Sequence, residues 1–248
     1  MSLFDRFFGP RKSSEPQQNP AEPPPEFPYP LEAVRGAEAI QQWRVLQAKW
    51  RGEGCSAVML GEAKDVERVK ENYTLNEMPV DKVLEGAQAL SADRWFRERR
   101  AQDEEYYSEI DEGTWPVAGV QQHSLGAHLH VLSRQPKSTV YFAKIPTTKS
   151  FEIPGYLRFG DWNATPGPEE QVAVLRHWSE QYGLEIYALT GDVIECEIAR
   201  PPGDQESATV LAREQFVYCA DIVDQGVGSI LALAAVLKGA RYWYFWWD

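Results

Sequence analysis

The chain has 248 residues, enough for one large domain or two small ones, and its 37 Asp and Glu against 25 Lys and Arg give a formal net charge of −12. That balance argues against a duplex nucleic-acid binder, which needs a basic face to neutralise phosphates, and it leaves room for a basic protein partner. Cys55, Cys196 and Cys219 are far apart and odd in number, so the sequence holds no disulfide framework or paired-cysteine zinc motif and predicts free thiols in a cytoplasmic protein. It shows no signal peptide, and its longest apolar stretch, at residues 230–237, is too short for a transmembrane segment.

Residues 1–12 put Leu3, Phe4, Phe7 and Phe8 on one helical face, followed by Arg11 and Lys12. The pattern suits peripheral anchoring on a membrane or a partner; a frayed tail is the plainer reading. Residues 13–30 hold seven prolines among Ser, Gln and Glu, a polyproline-type spacer that cannot bury enough surface to fold. Residues 1–30 are therefore expected to be a disordered arm, and residues 31–248 a single globular domain.

Apolar positions at helical spacing predict a helix over 31–51, ended by Gly52 and Gly54. Ser56-Ala-Val-Met-Leu60 reads as a buried strand, and 62–72 as a charged helix. Asp81 and Ser91 are candidate caps for two more helices, the second running to about Tyr107. An acidic, turn-rich stretch follows at 109–119. Strands are expected over 128–133, 139–145 and 156–159. Pro168 suits a helix start and Gly183 a helix stop. Strands over 184–190 and 193–199 flank the Gly191-Asp192 turn, Asp204 can cap the next helix, and 221–228 reads as a bend before an apolar helix at 229–238.

The sequence closes on Tyr242-Trp-Tyr-Phe-Trp-Trp247, six aromatics in a row before Asp248. In a strand, Trp243, Phe245 and Trp247 share one face and Tyr242, Tyr244 and Trp246 the other. A strand apolar on both faces belongs in the middle of a sheet, so this one is expected to be central. The alternation of helices and strands gives the fold class: α/β (α+β), a single mixed β-sheet flanked by helices on both faces.

Phe159-Gly-Asp-Trp-Asn163, the Arg200-Pro-Pro202 corner, Ala212-Arg-Glu-Gln-Phe216, Cys219-Ala-Asp-Ile-Val-Asp-Gln-Gly226 and Trp243-Tyr-Phe-Trp-Trp-Asp248 resemble, in order, the hallmark segments of the bacterial DUF4253 family. The resemblance covers roughly 150–248, with a weaker likeness at 56–61. The family carries no established activity, so the resemblance implies no catalytic residues.

Candidate ligand-binding residues come from two of these segments. Asp161, Trp162 and Asn163 follow a predicted strand and precede a helix, where α/β sheets tend to bind ligands; the plainer reading is an Asx turn with Trp162 over the core, which explains all three residues. Asp221, Asp224 and Gln225 precede Gly226 and Gly228 at a helix start. Two carboxylates there suit a cation or a donor-rich partner, or else simply cap the helix. The chain carries no nucleophile elbow, phosphate loop or local Cys-His dyad. The first functional reading is a cytoplasmic binding module with a protein partner and no cofactor, of the kind that neutralises a basic protein such as a toxin. The alternative is a metal-dependent hydrolase with a divalent metal, drawing on Asp161, Asp221 and Asp224 with Glu195, Glu197, His128 and His130. That alternative requires the carboxylates to converge within about 4–6 Å.

Overall fold

Polar turns and apolar runs in the sequence resolve into six strands of one sheet. The computed structural model describes residues 24–117 and 120–248. The amphipathic stretch at 1–12, most of the proline-rich spacer and residues 118 and 119 of the acidic stretch lie outside them. The strands are β1 (Leu31–Val34), β2 (Ser56–Gly61), β3 (Val140–Ile145), β4 (Leu184–Leu189), β5 (Val193–Ile198) and β6 (Tyr242–Trp246), in the sheet order β1-β3-β2-β4-β5-β6. β2 and β4 are parallel and every other neighbouring pair is antiparallel, so the sheet is mixed, as the α/β reading expects.

Helices cover both faces unequally. On one face α1 (Ala39–Arg51) buries Trp43, Leu46 and Trp50 against Ala57, Met59, Phe142 and Tyr187. The Trp43 indole donates to the Ala57 carbonyl at 3.2 Å, and its ring meets Tyr187 edge-on. Arg44 to Glu197 and Arg51 to Glu185, both 2.8 Å, tie the outer side of α1 to the sheet. The opposite face is packed by α2 (Ala63–Leu75), α4 (Ala92–Gln102), α7 (Pro168–Tyr182), α8 (Gln205–Tyr218) and α9 (Ile230–Leu237). Trp178 of α7 is its centre. It stacks on Phe245 at 5.5 Å and meets Tyr218 and Trp243 edge-on. Among the described residues no helix is long and apolar enough to cross a membrane.

Several expectations are corrected. The aromatic strand β6 is an edge strand, paired only with β5. Its alternation holds: Trp243, Phe245 and Trp247 are buried and Tyr242, Tyr244 and Trp246 half-buried. Ring bodies with polar tips tolerate that partial wetting, and His123 covers Tyr244 at 5.5 Å. The central place belongs to β2, which is buried along its whole length. Residues 31–34 form a strand against β3 rather than a first helical turn, because Pro28 and Pro30 favour extended backbone on the way in. Packing on the core begins before Leu31, at Phe27 and Tyr29.

Residues 128–133 make a turn instead of a strand, with one bridge from Leu129 to Pro136. Val131 and Leu132 have no apolar surface to meet and are 83% and 98% exposed. The 156–159 stretch leaves a short helix, α6 (Ile153–Tyr156), because the Phe159 N–H returns to the Pro154 carbonyl. Pro79 rather than Asp81 precedes α3 (Val80–Ala89). Ser91 does cap α4, but Asp103 breaks that helix and caps α5 (Glu104–Ser108). The bend at 221–228 contains a π-helical turn, Ile222–Val227.

Candidate functional site

Because β2 and β4 are parallel and β6 is antiparallel to β5, the carboxyl ends of β2, β4 and β6 lie along one edge of the sheet. The Gly191-Asp192 turn sits there. The Trp247 N–H reaches the Asp192 carbonyl at 3.2 Å. From α2, Arg68 pairs with Asp192 at 3.2 Å and Asn72 donates to the Gly191 carbonyl at 3.2 Å.

The loop after α6 brings a second wall to this edge through unusual backbone. Arg158 (φ 51°), Asp161 (φ 68°) and Asn163 (φ 48°) are left-handed, as is Gly160 at φ 131°. Asp and Asn adopt that region readily, whereas an arginine there costs on the order of 1 kcal/mol and has to be held. Arg158 is held by donating to the carbonyls of Tyr73 (3.3 Å) and Asn76 (2.8 Å) while lying 4.4 Å over the Tyr73 ring. Gly160 has no substitute, since a Cβ would stand 2.0 Å from the Pro166 carbonyl oxygen.

Between this loop and the end of α2 lies a groove of about 450 Å³, lined by Asn72, Leu75, Asn76, Glu77, Gly160, Asp161 and Trp162. Leu75 is 82% exposed, an apolar wall with nothing packed on it. Trp162 meets Phe159 edge-on at 4.7 Å, so the core fixes its ring at the groove. The Asp161 carboxylate accepts from the Asn76 side chain at 3.0 Å. Partial burial, with the Glu170 charge adding to it, pushes the Asp161 carboxyl above its usual range against the pull of Asn76.

The two predicted ligand segments meet through Asp248. The Asn163 amide donates to the Asp248 carbonyl at 2.6 Å, the Asp248 N–H donates to Asp221 at 3.1 Å, and Gln225 donates to the other Asp221 oxygen at 2.8 Å. Asp224 turns outward and accepts from the Tyr106 hydroxyl of α5. Burial and that carboxylate raise the Tyr106 pKa. Neither Asp221 nor Asp224 caps the apolar helix. Ser229 does, accepting from the Ala232 N–H at 3.3 Å.

The residues of the hydrolase alternative stand apart. Glu195 is 4% exposed on the α1 side of the sheet and accepts from the N–H groups of Gly126 and Ala127 at 3.0 Å; burial pushes its carboxyl up. Glu197 is paired with Arg44. His128 is buried, with Nδ1 3.2 Å from the Tyr187 hydroxyl, and burial, helped by Arg134 and Lys137, pushes its pKa down. His130 is exposed on the turn that replaces the expected strand. Among the described residues no three His, Cys, Asp or Glu side chains are grouped to hold a metal ion. The geometric condition for the hydrolase is therefore not met.

Local sequence did not indicate Leu75, Asn76, Glu77 or Arg158. The end of α2 reads as a solvated helix, and its place at the groove depends on a contact spanning more than 80 positions, such as Asn76 to Asp161. No curated protein and no solved structure matches the chain. Residues 141–248 match the family described as a domain of unknown function, DUF4253. The matched part runs from β3 to Asp248 and includes the Gly160–Asn163 wall and the Asp221–Gln225 turn, whereas the α2 wall precedes it. Over these residues, from the sheet's third strand to its aromatic edge, the chain resembles the DUF4253 family.

Proposed function

We propose that the protein is a binding module whose carboxyl-edge groove takes a basic, partly apolar protein segment, and that it neutralises a basic partner such as a toxin. One observation carries the reading. The groove lining combines two carboxylates, Glu77 and Asp161, with the apolar surfaces of Leu75 and Trp162 and contains no cation among the described residues. Arg158, whose guanidinium donates to the Asn76 carbonyl at one wall, is committed to two carbonyls and a ring. A net charge of −12 would steer a cationic partner toward the molecule. A cytoplasmic setting belongs to the same proposal, supported by the free thiols of Cys55, Cys196 and Cys219.

The test is a fluorescence-anisotropy titration of the full chain with a labelled peptide of alternating Arg and Leu. Binding should weaken about tenfold in the double variant Glu77→Gln/Asp161→Asn and fall steeply as salt rises. Equal affinity for wild type and variant would remove the groove from the account.

A further inference from the structure

The first residues described pack on α2, the helix that forms one wall of the groove. Glu26 pairs with Lys70 of α2 at 3.4 Å. Tyr29 lies edge-on to Tyr73 at 6.4 Å and donates to the Tyr156 carbonyl at 3.1 Å. Leu75 is five residues beyond Lys70, roughly 8 Å along the helix. The described chain therefore begins beside the same helix that forms one wall of the groove.

Their sequence fits what the groove offers. Leu3, Phe4, Phe7 and Phe8 supply an apolar face, and Arg6, Arg11 and Lys12 outnumber the single carboxylate, Asp5. The groove presents Leu75 and Trp162 between Glu77 and Asp161. Fully extended, eleven residues such as 13–23 reach up to about 34 Å at about 3.1 Å per residue, well beyond the roughly 8 Å between Lys70 and Leu75 along α2. Such a tether holds the segment at an effective concentration in the millimolar range. A second copy of the chain at micromolar concentration cannot compete with that.

We propose that residues 1–12 of this chain occupy its own groove, so that a basic partner must displace them to bind. The inference rests on the groove reading above and adds a competitor to it. A segment with an intrinsic dissociation constant of about 0.1 mM would occupy the groove most of the time and weaken a partner's apparent affinity roughly tenfold or more.

Amide hydrogen exchange of the full chain, with no partner present, tests this. Peptides covering residues 70–78 and 158–165 should exchange several-fold slower in wild type than in the full-chain variant Phe4→Ser/Phe7→Ser/Phe8→Ser. Leu75→Ser, at a side chain that packs on nothing, should release residues 1–12 to the same extent. Equal exchange in all three proteins would overturn the proposal. Protection that disappears on dilution would overturn it in favour of a second copy. Protection of residues 1–12 that appears only with anionic phospholipid vesicles, leaving the groove unchanged, would overturn it in favour of a membrane. The two readings fail separately. Arg/Leu peptide binding without tail protection sinks only the tail proposal, and tail protection in wild type without peptide binding to the Phe4→Ser/Phe7→Ser/Phe8→Ser variant sinks only the partner reading.

Discussion

Two side chains on the α1 side of the sheet set opposite responses to pH. His128 is buried against Tyr187, and burial lowers its pKa below the ordinary 6.5. The unfolded chain then binds the proton more readily, so this histidine's contribution to stability is full above pH 6.5 and is lost as pH falls toward the lowered value. Glu195 runs the other way. Its raised pKa means that ionising it costs stability as pH rises above the ordinary 4.5. The His128→Gln change should therefore destabilise less at pH 5 than at pH 7 in urea unfolding. An equal loss at both values would mean that His128 does not titrate differently in the two states. Residue chemistry in the loop at 158–163 was partly legible: Gly160, Asp161 and Asn163 announce a turn that tolerates positive φ. Arg158 was not, because nothing local requires an arginine to be left-handed. Its reason is the pair of carbonyls and the ring supplied by Tyr73 and Asn76.

Among the elements, β6 separates what local pattern determines from what pairing determines. Its alternation follows from strand geometry and is observed. Its place in the sheet depends on which strand it finds, and an apolar pattern alone does not distinguish an edge strand half-covered by a loop from a central one. The same limit explains β1, four residues whose identity as a strand comes from β3. The helix ends at Ser91, Gly183 and Asp204 were the most legible features, because each acts within three or four residues of itself. Even at the edge, β6 is essential to the core. Trp243, Phe245 and Trp247 bury on the order of 600 Å², or about 15 kcal/mol before entropy and as an upper bound. That gross figure exceeds the whole stability of a typical domain, about 5–15 kcal/mol. Deleting residues 241–248 should abolish cooperative thermal unfolding, and a truncated chain that melts like the full one would refute the central role of this aromatic cluster.

For the molecule as a whole, the candidate site exists only when the chain is folded. One wall, Gly160 to Trp162, lies in the part that matches DUF4253; the other, Asn72 to Glu77, comes from before it. Asp248, the last residue of the sequence, joins the Asn163 and Asp221 segments, which are 58 positions apart in numbering. The sequence supplied the candidate residues of those two segments but not their meeting point, since that depends on β6 ending beside both. It also could not separate a carboxylate awaiting a ligand from one already engaged. In the fold Asp221 has its partners, whereas the groove keeps open apolar surface beside Asp161. The most direct measurement of the central claim is a chemical-shift titration of the isotope-labelled full chain with the Arg/Leu peptide. The account predicts saturable perturbations concentrated at residues 72–77 and 160–162. Perturbations centred on the α1 face, or none at a hundredfold excess of peptide, would contradict it.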